Sequence, residues 1–334
     1  MPEVGGRLEA AAGDPPAPGE TPTELLRALA HLAEPPGPAH GELARALALP
    51  GEPDPVGYAD VLLFQLHPYA SVHLGPEGML GGEARGRIAG FWQAVGRTPP
   101  AEPDHLASLT GLYASLADEE AERGGPEARL VRRSRRALME EHLAPWVFPF
   151  LGRVSELAGD PYAAWADVHS DTLAAELDAE GPCRVRSVHL REAPALPDPR
   201  EEGAKTFLEG LLAPVRTGMI LTRSDLAMLA RRLDLGLRAG ERRYALENLL
   251  GQDPPAVLRG LAEEAERQAR GHEARVERIG DPADFLAARA HACARLLEEL
   301  AMAEPELTAS DGEASSRSGG PGANVRDGDP SDAP

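Results

Sequence analysis

From Leu25 to the neighbourhood of Met302, apolar residues recur at spacings of three and four, the period of an amphipathic helix. The alternation of two that a half-buried strand requires is almost absent. Leu25, Leu26, Leu29 and Leu32 carry the stripe after Thr21 and Pro22, a cap and a first-turn proline. Val61, Leu62, Phe64, Gln65 and Leu66 read as a helix end before a turn at residues 67–69. Leu106, Leu109, Leu112, Tyr113 and Leu116 define a longer helix. Pro103 and Asp104 stand at its start, where a carboxylate meets the positive end of the helix dipole. Further helices are expected at 83–96, 127–143, 161–178, 204–213, 223–234, 241–250, 255–278 and 282–302. Thr222 and Asp225 have capping-box spacing with Asp in place of Glu, and Asp253 before Pro254 is another helix start. Only CRVRSVHLRE (183–192) hints at a strand, and its alternation breaks at Ser187 and Val188, which leaves a linker or a short extended segment. The expected class is all-α, a compact helical bundle.

Eleven of the fourteen aromatic residues, with all three tryptophans, lie between Tyr58 and Trp165. Aromatic side chains bury the most area per residue, so this interval is expected to hold the main core. The organisation expected is a disordered N-terminus (1–20), a helical domain (21–180), a linker (181–203), a helical C-terminal extension (204–302) and a disordered acidic tail (303–334). The tail has too few large apolar residues to offset the entropy of ordering. No repeat of 20–50 residues is evident.

Acidic residues number 54 against 34 basic ones, a net charge of −20. That excess argues against general binding to a phosphate backbone. Residues 304–334 carry seven acids against two arginines, and residues 1–24 five against one, so the central part keeps an acid excess of its own. No run of about 20 apolar residues could span a bilayer. Cys183 and Cys293 cannot make a disulfide framework. The N-terminal residues lack the basic start and apolar stretch of a secretory signal. A soluble protein of the reducing cytoplasm is expected, without nucleic acid or stable membrane association.

The ten histidines show no HExxH; His67 and His73 are separated by a turn, and His142 follows Glu140 and Glu141 on different sides of a helix. No metal or other cofactor is expected. No GxSxG or GxxxxGK[ST] occurs, and the glycines of 75–86 do not follow a strand. They read as a loop ending at a helix start, or as the edge of a partner groove. In RLVRRSRR (129–136), helical spacing puts Arg129, Arg132, Arg133 and Arg136 on one face, with Glu140 in reach of Arg136. That face is either solvated and balanced by Glu119, Glu120 and Glu122, or a scaffold or nucleic-acid contact. Asp104 and His105 admit three readings. They are a cap and a surface residue, a site that bonds a peptide backbone or an arginine beside Leu109, Leu112 and Tyr113, or a hydrolase pair. Adjacent residues at one helix start rarely orient each other as base and orienter.

Three segments in order, PYASVHLGPEGMLGG (68–82), EPDHLASLTGLYASL (102–116) and EEHLAPWVFPFLGRV (140–154), resemble the TorD/DmsD family of molybdoenzyme maturation chaperones, to which NarJ-type proteins are related. The resemblance covers roughly residues 20–180. It implies an all-helical cytoplasmic protein with no catalytic site. Such a protein binds the apo catalytic subunit of a molybdopterin oxidoreductase, often at its twin-arginine signal peptide, until cofactor insertion and export. By motif, Asp104 and His105 correspond to the family's Asp-His pair, implicated in signal-peptide binding. His142, Pro145 and Trp146 match the later element, where Trp146 also reads as a core aromatic. The client-binding set so implied is Asp104, His105, Leu109, Tyr113, His142 and Trp146. Tyr69 and Trp92 lie in the shared region without an assigned contact. An acidic helical protein with an apolar stripe suits a peptide that is basic at its start and apolar after it. The region from 201 to 302 extends beyond the usual compact chaperone and is expected to dock the client or another assembly factor.

Overall fold

The computed structural model describes residues 22–238 and 240–303. The segments expected to be disordered lie outside these residues, apart from Ala303. The described residues form eighteen α-helices, two π-helical turns and no strand, so the fold is all-α.

The chain opens with α1 (Pro22–His31) and α2 (Pro38–Ala46), then α3 (Pro55–Tyr58), whose first amides at Val56 and Gly57 donate to the Asp54 side chain. From α3 it passes directly into a π-helical turn, Ala59–Leu63. Next come α4 (Ala70–Leu74), α5 (Gly82–Ala94), α6 (Leu106–Glu122) and α7 (Gly125–Leu138). A second π-turn, Met139–Leu143, leads to α8 (Val147–Leu157) and α9 (Tyr162–Glu180). The most extensive helix pairings are α8 with α9, α1 with α6 and α6 with α7. Trp146, Phe148, Phe150, Trp165 and Tyr113 are fully buried there, in the interval where the aromatics are concentrated.

Helix α8 has no counterpart among the helices expected from periodicity. Its start, VFPF, is apolar on every side, so no polar face marks the period. Pro149 is its third residue, inside the first turn, where a missing N–H breaks no helical bond.

Residues 181–203 contain α10 (Val188–Glu192) and α11 (Pro199–Glu202). The extended part of 183–192 is a single bridge, with Cys183 parallel to Gly280: Cys183 N donates to Ile279 O and Asp281 N to Cys183 O, both at 2.9 Å. Gly280 has φ +89° and a Cβ there would lie 2.1 Å from Cys183 O, so the close approach needs glycine. The break in alternation at Ser187 marks a helix cap, since its hydroxyl accepts from Leu190 N.

Seven helices follow: α12 (Ala204–Leu211), α13 (Pro214–Thr217), α14 (Arg223–Arg232), α15 (Arg242–Leu250), α16 (Pro254–Glu273), α17 (Val276–Ile279) and α18 (Asp281–Met302). The Thr222–Asp225 capping box and the Asp253 cap both form. The single helix expected over 255–278 is instead α16 and α17, interrupted at residues 274–275. Phe207, Leu211, Leu246, Leu261 and Leu297 belong to a second apolar core, whereas Val215, Ile220, Phe285 and Leu286 join the first.

Candidate functional site

The three motif segments converge on α4, a helix of five buried residues. Its entry is tied to the start of α6 by backbone bonds: Leu106 N donates to Pro68 O at 2.8 Å, and Ala70 N to Asp104 O at 2.9 Å. Tyr69 and His105 form an antiparallel bridge, with their rings edge-on at 4.8 Å.

Asp104 does not cap its own helix, contrary to the cap reading of the sequence. It stands one residue ahead of the N-cap, and its carboxylate turns to α4, accepting from Ser71 N at 3.2 Å. The N-cap of α6 is His105, whose Nδ1 accepts from Ala107 N at 3.1 Å. That bond needs a neutral ring with its proton on Nε2. Burial lowers the His105 pKa, against the opposing pull of Glu102, Glu34 and Asp104.

Over this buried cap lies an exposed edge. The half-buried Tyr69 donates its hydroxyl to the exposed Glu102 at 3.0 Å, and burial followed by that bond raises the phenol pKa. Trp92 Nε1 donates to Pro103 O at 3.2 Å. Arg85 bonds Ala101 O at 2.9 Å and stands 3.9 Å from Asp104.

At α4's other end, His73 stacks on Trp146 with centroids 5.1 Å apart and bonds His67 O at 3.0 Å. Trp146 Nε1 donates to His142 O at 2.8 Å, and His142 Nδ1 meets His189 Nε2 at 3.2 Å. Burial brings His73 down to about 4 and His142 to about 3, His189 adding to the latter.

Thus Asp104 and His105 meet Tyr69, His142 meets Trp146, and α4 joins the two pairs. Leu109 is core, and Tyr113, one turn on, belongs to a different cluster: its hydroxyl donates to Glu176 at 2.9 Å and accepts from Arg135 at 2.6 Å. All six residues expected to bind a client are buried, and none presents a free surface in this conformation. The accessible neighbours include Tyr69, Glu102, Trp92 and Arg85. Glu102 stands in the EPDH segment, where its sequence context gives no sign that it is the exposed carboxylate.

Asp104 and His105 are each committed to a backbone amide of a different segment, and among the described residues no hydrogen bond joins them. Among those residues, too, no group of three or more His, Cys, Asp or Glu is placed to hold a metal ion. In the arginine run, Arg136 pairs with Glu140 at 2.7 Å and Arg132 lies 3.6 Å from Glu180, while Arg129 and Arg133 are exposed. Arg135, not among the four singled out from spacing, is the buried one. It bonds Glu120 at 3.0 Å, Glu176 at 2.7 Å and also Glu180.

Residues 63–152 match the family model described as nitrate reductase delta subunit. The matched stretch runs from the first π-turn into α8 and contains both junctions of α4. No curated protein matches the chain. Among the described residues no helix is long and apolar enough to cross a membrane.

Proposed function

We propose that this protein is a maturation chaperone for a molybdopterin oxidoreductase, holding the apo catalytic subunit in the cytoplasm while cofactor is inserted and the enzyme assembles. The observation that carries the reading is the match of residues 63–152 to the nitrate reductase delta subunit family, a family of molybdoenzyme maturation chaperones. We further propose that the edge formed by Tyr69 and Glu102 takes the basic start of a twin-arginine signal peptide on the client. A carboxylate beside an aromatic ring is suited to a guanidinium, which bonds the first and stacks on the second. Glu34, whose charge acts on His105 and on Tyr58, adds to the negative potential there. Asp104 and His105 are then positioning residues that fix the two chain segments carrying Tyr69 and Glu102. Leu109, Tyr113, His142 and Trp146 form the frame behind them. Binding and release suffice for such a role, with no covalent step.

The test is affinity capture from the native cell with the full chain. A molybdopterin oxidoreductase subunit is expected among the captured proteins. Glu102→Gln combined with Tyr69→Phe should weaken its capture about tenfold, roughly 1.4 kcal/mol, with the melting temperature unchanged. Equal capture by the double variant would refute the edge as the contact. Absence of any molybdoenzyme would refute the function.

A further inference from the structure

A second surface shares no residue with the Tyr69–Glu102 edge. A cleft of about 650 Å³ opens between the first π-turn and the α14–α15 region. Its size is within the usual range for ligand pockets, about 300–1,000 Å³. A π-turn carries an extra residue, and this one ends by leaving Leu63 and Phe64 in water, 48% and 58% exposed. Val61, Phe64, Leu157 and Leu237 are among its apolar lining residues. The two sides are tied together, because Gln65 Oε1 accepts from Ser224 N at 3.2 Å.

The charge at this cleft runs against the rest of the chain. Arg223 and Arg238 line it, and among the described residues neither is paired with a carboxylate; Arg238 donates to Tyr244 Oη at 3.0 Å. Among the described residues Asp60 is the one lining carboxylate. Next along the chain from the lining Gly240 come Glu241 and Arg242, the latter held by Leu221 O at 2.9 Å, so this pair adds no net charge. Two guanidiniums without a carboxylate partner among the described residues, beside exposed apolar side chains in a protein with 54 acidic residues against 34 basic, define their complement. It is apolar and carries carboxylates.

We propose that this cleft receives an amphipathic helix of a partner protein, seating two or three apolar side chains against Phe64 and Leu237 and a carboxylate against Arg223 and Arg238. The inference does not depend on the function proposed above, and its ligand has the opposite charge from a twin-arginine peptide.

The experiment uses the full chain and three fluorescent helical peptides read by anisotropy. One is built of Leu, Ala and Glu; the second has Lys for Glu, and the third has Ser for Leu. The Leu/Glu peptide should bind about tenfold or more tighter than either of the others. Arg223→Glu with Arg238→Glu should reverse the preference between Glu and Lys peptides, and Phe64→Ser should weaken binding of the Leu/Glu peptide. All three positions reach the surface, so unchanged circular dichroism is expected as a control. Equal affinity for the three peptides, or charge reversal without effect, overturns the proposal. So does a dimer in light scattering that Phe64→Ser dissolves, since a second copy would then fill the cleft. Loss of client capture in the Glu102 variant with peptide binding intact would separate the two surfaces.

Discussion

Arg135 lies on α7 with only a tenth of its side chain in water, facing Glu120, Glu176, Glu180 and the Tyr113 hydroxyl. Removing one partner from such a network strands the others' charge away from solvent, which costs more than the pair itself contributes. Arg135→Met should therefore lower the unfolding free energy by about 3–5 kcal/mol in urea titration, whereas Arg133→Met, at an exposed site, should stay within about 0.5 kcal/mol. The residues that bond within their own helix were legible in the sequence: Thr222 with Asp225, Arg136 with Glu140, Asp253 ahead of its proline. Arg135 was not, because spacing groups arginines by face without saying which face turns inward. Val131 and Leu138, four before and three after it, carried that signal. Asp104 escaped for a related reason, since its amide partner lies on a segment more than thirty residues away in sequence.

At the scale of elements, α4 shows how a helix too short to stabilise itself is held by its neighbours. A helix of five residues is far below the length that is stable alone, about 12–15 residues, and its first amides depend on Asp104. Asp104→Ala should cost about 0.5–2 kcal/mol. Amide exchange at residues 70–74 should quicken while the middle of α6 keeps its protection. The long amphipathic helices were legible because each has a wet face and a dry one. Helix α8 and α4 were not: the first begins apolar on all sides, and the second is shorter than the period needed to recognise it.

For the whole molecule, the interior histidines set a dependence on pH. Burial holds His73, His189 and His272 at about 4, and His142 and His169 at about 3. The unfolded chain protonates each near pH 6.5 while the native chain does not. Stability is then complete above about pH 6.5 and falls as pH drops, by up to about 1.4 kcal/mol per pH unit for each such group. His291, raised by Glu266 and Glu273, acts in the opposite sense. Carboxylates held low by arginines, such as Glu264 after its burial is outweighed, lose their contribution only at lower pH. Urea midpoints at pH 7.5 and 5.5 should differ clearly, and His169→Gln should flatten the slope by about one proton; equal midpoints would contradict neutral interior rings. None of this is legible in the sequence, since a histidine's position in the chain does not give its depth.

The bridge between Cys183 and Gly280 bears on how the chain could be taken apart. The stretch from 184 to 279 begins and ends at this bridge, and between its ends Leu190, Val215 and Ile220 pack in the first core as well. Residues after it, Ala283, Phe285 and Leu286, pack again with the first core. A protease cutting once within that stretch would leave each fragment anchored in the tryptophan-rich half. The second core cannot be freed that way, because its residues Cys293, Ala294, Leu297 and Ala301 follow the bridge on α18, the helix whose start is held in the first core.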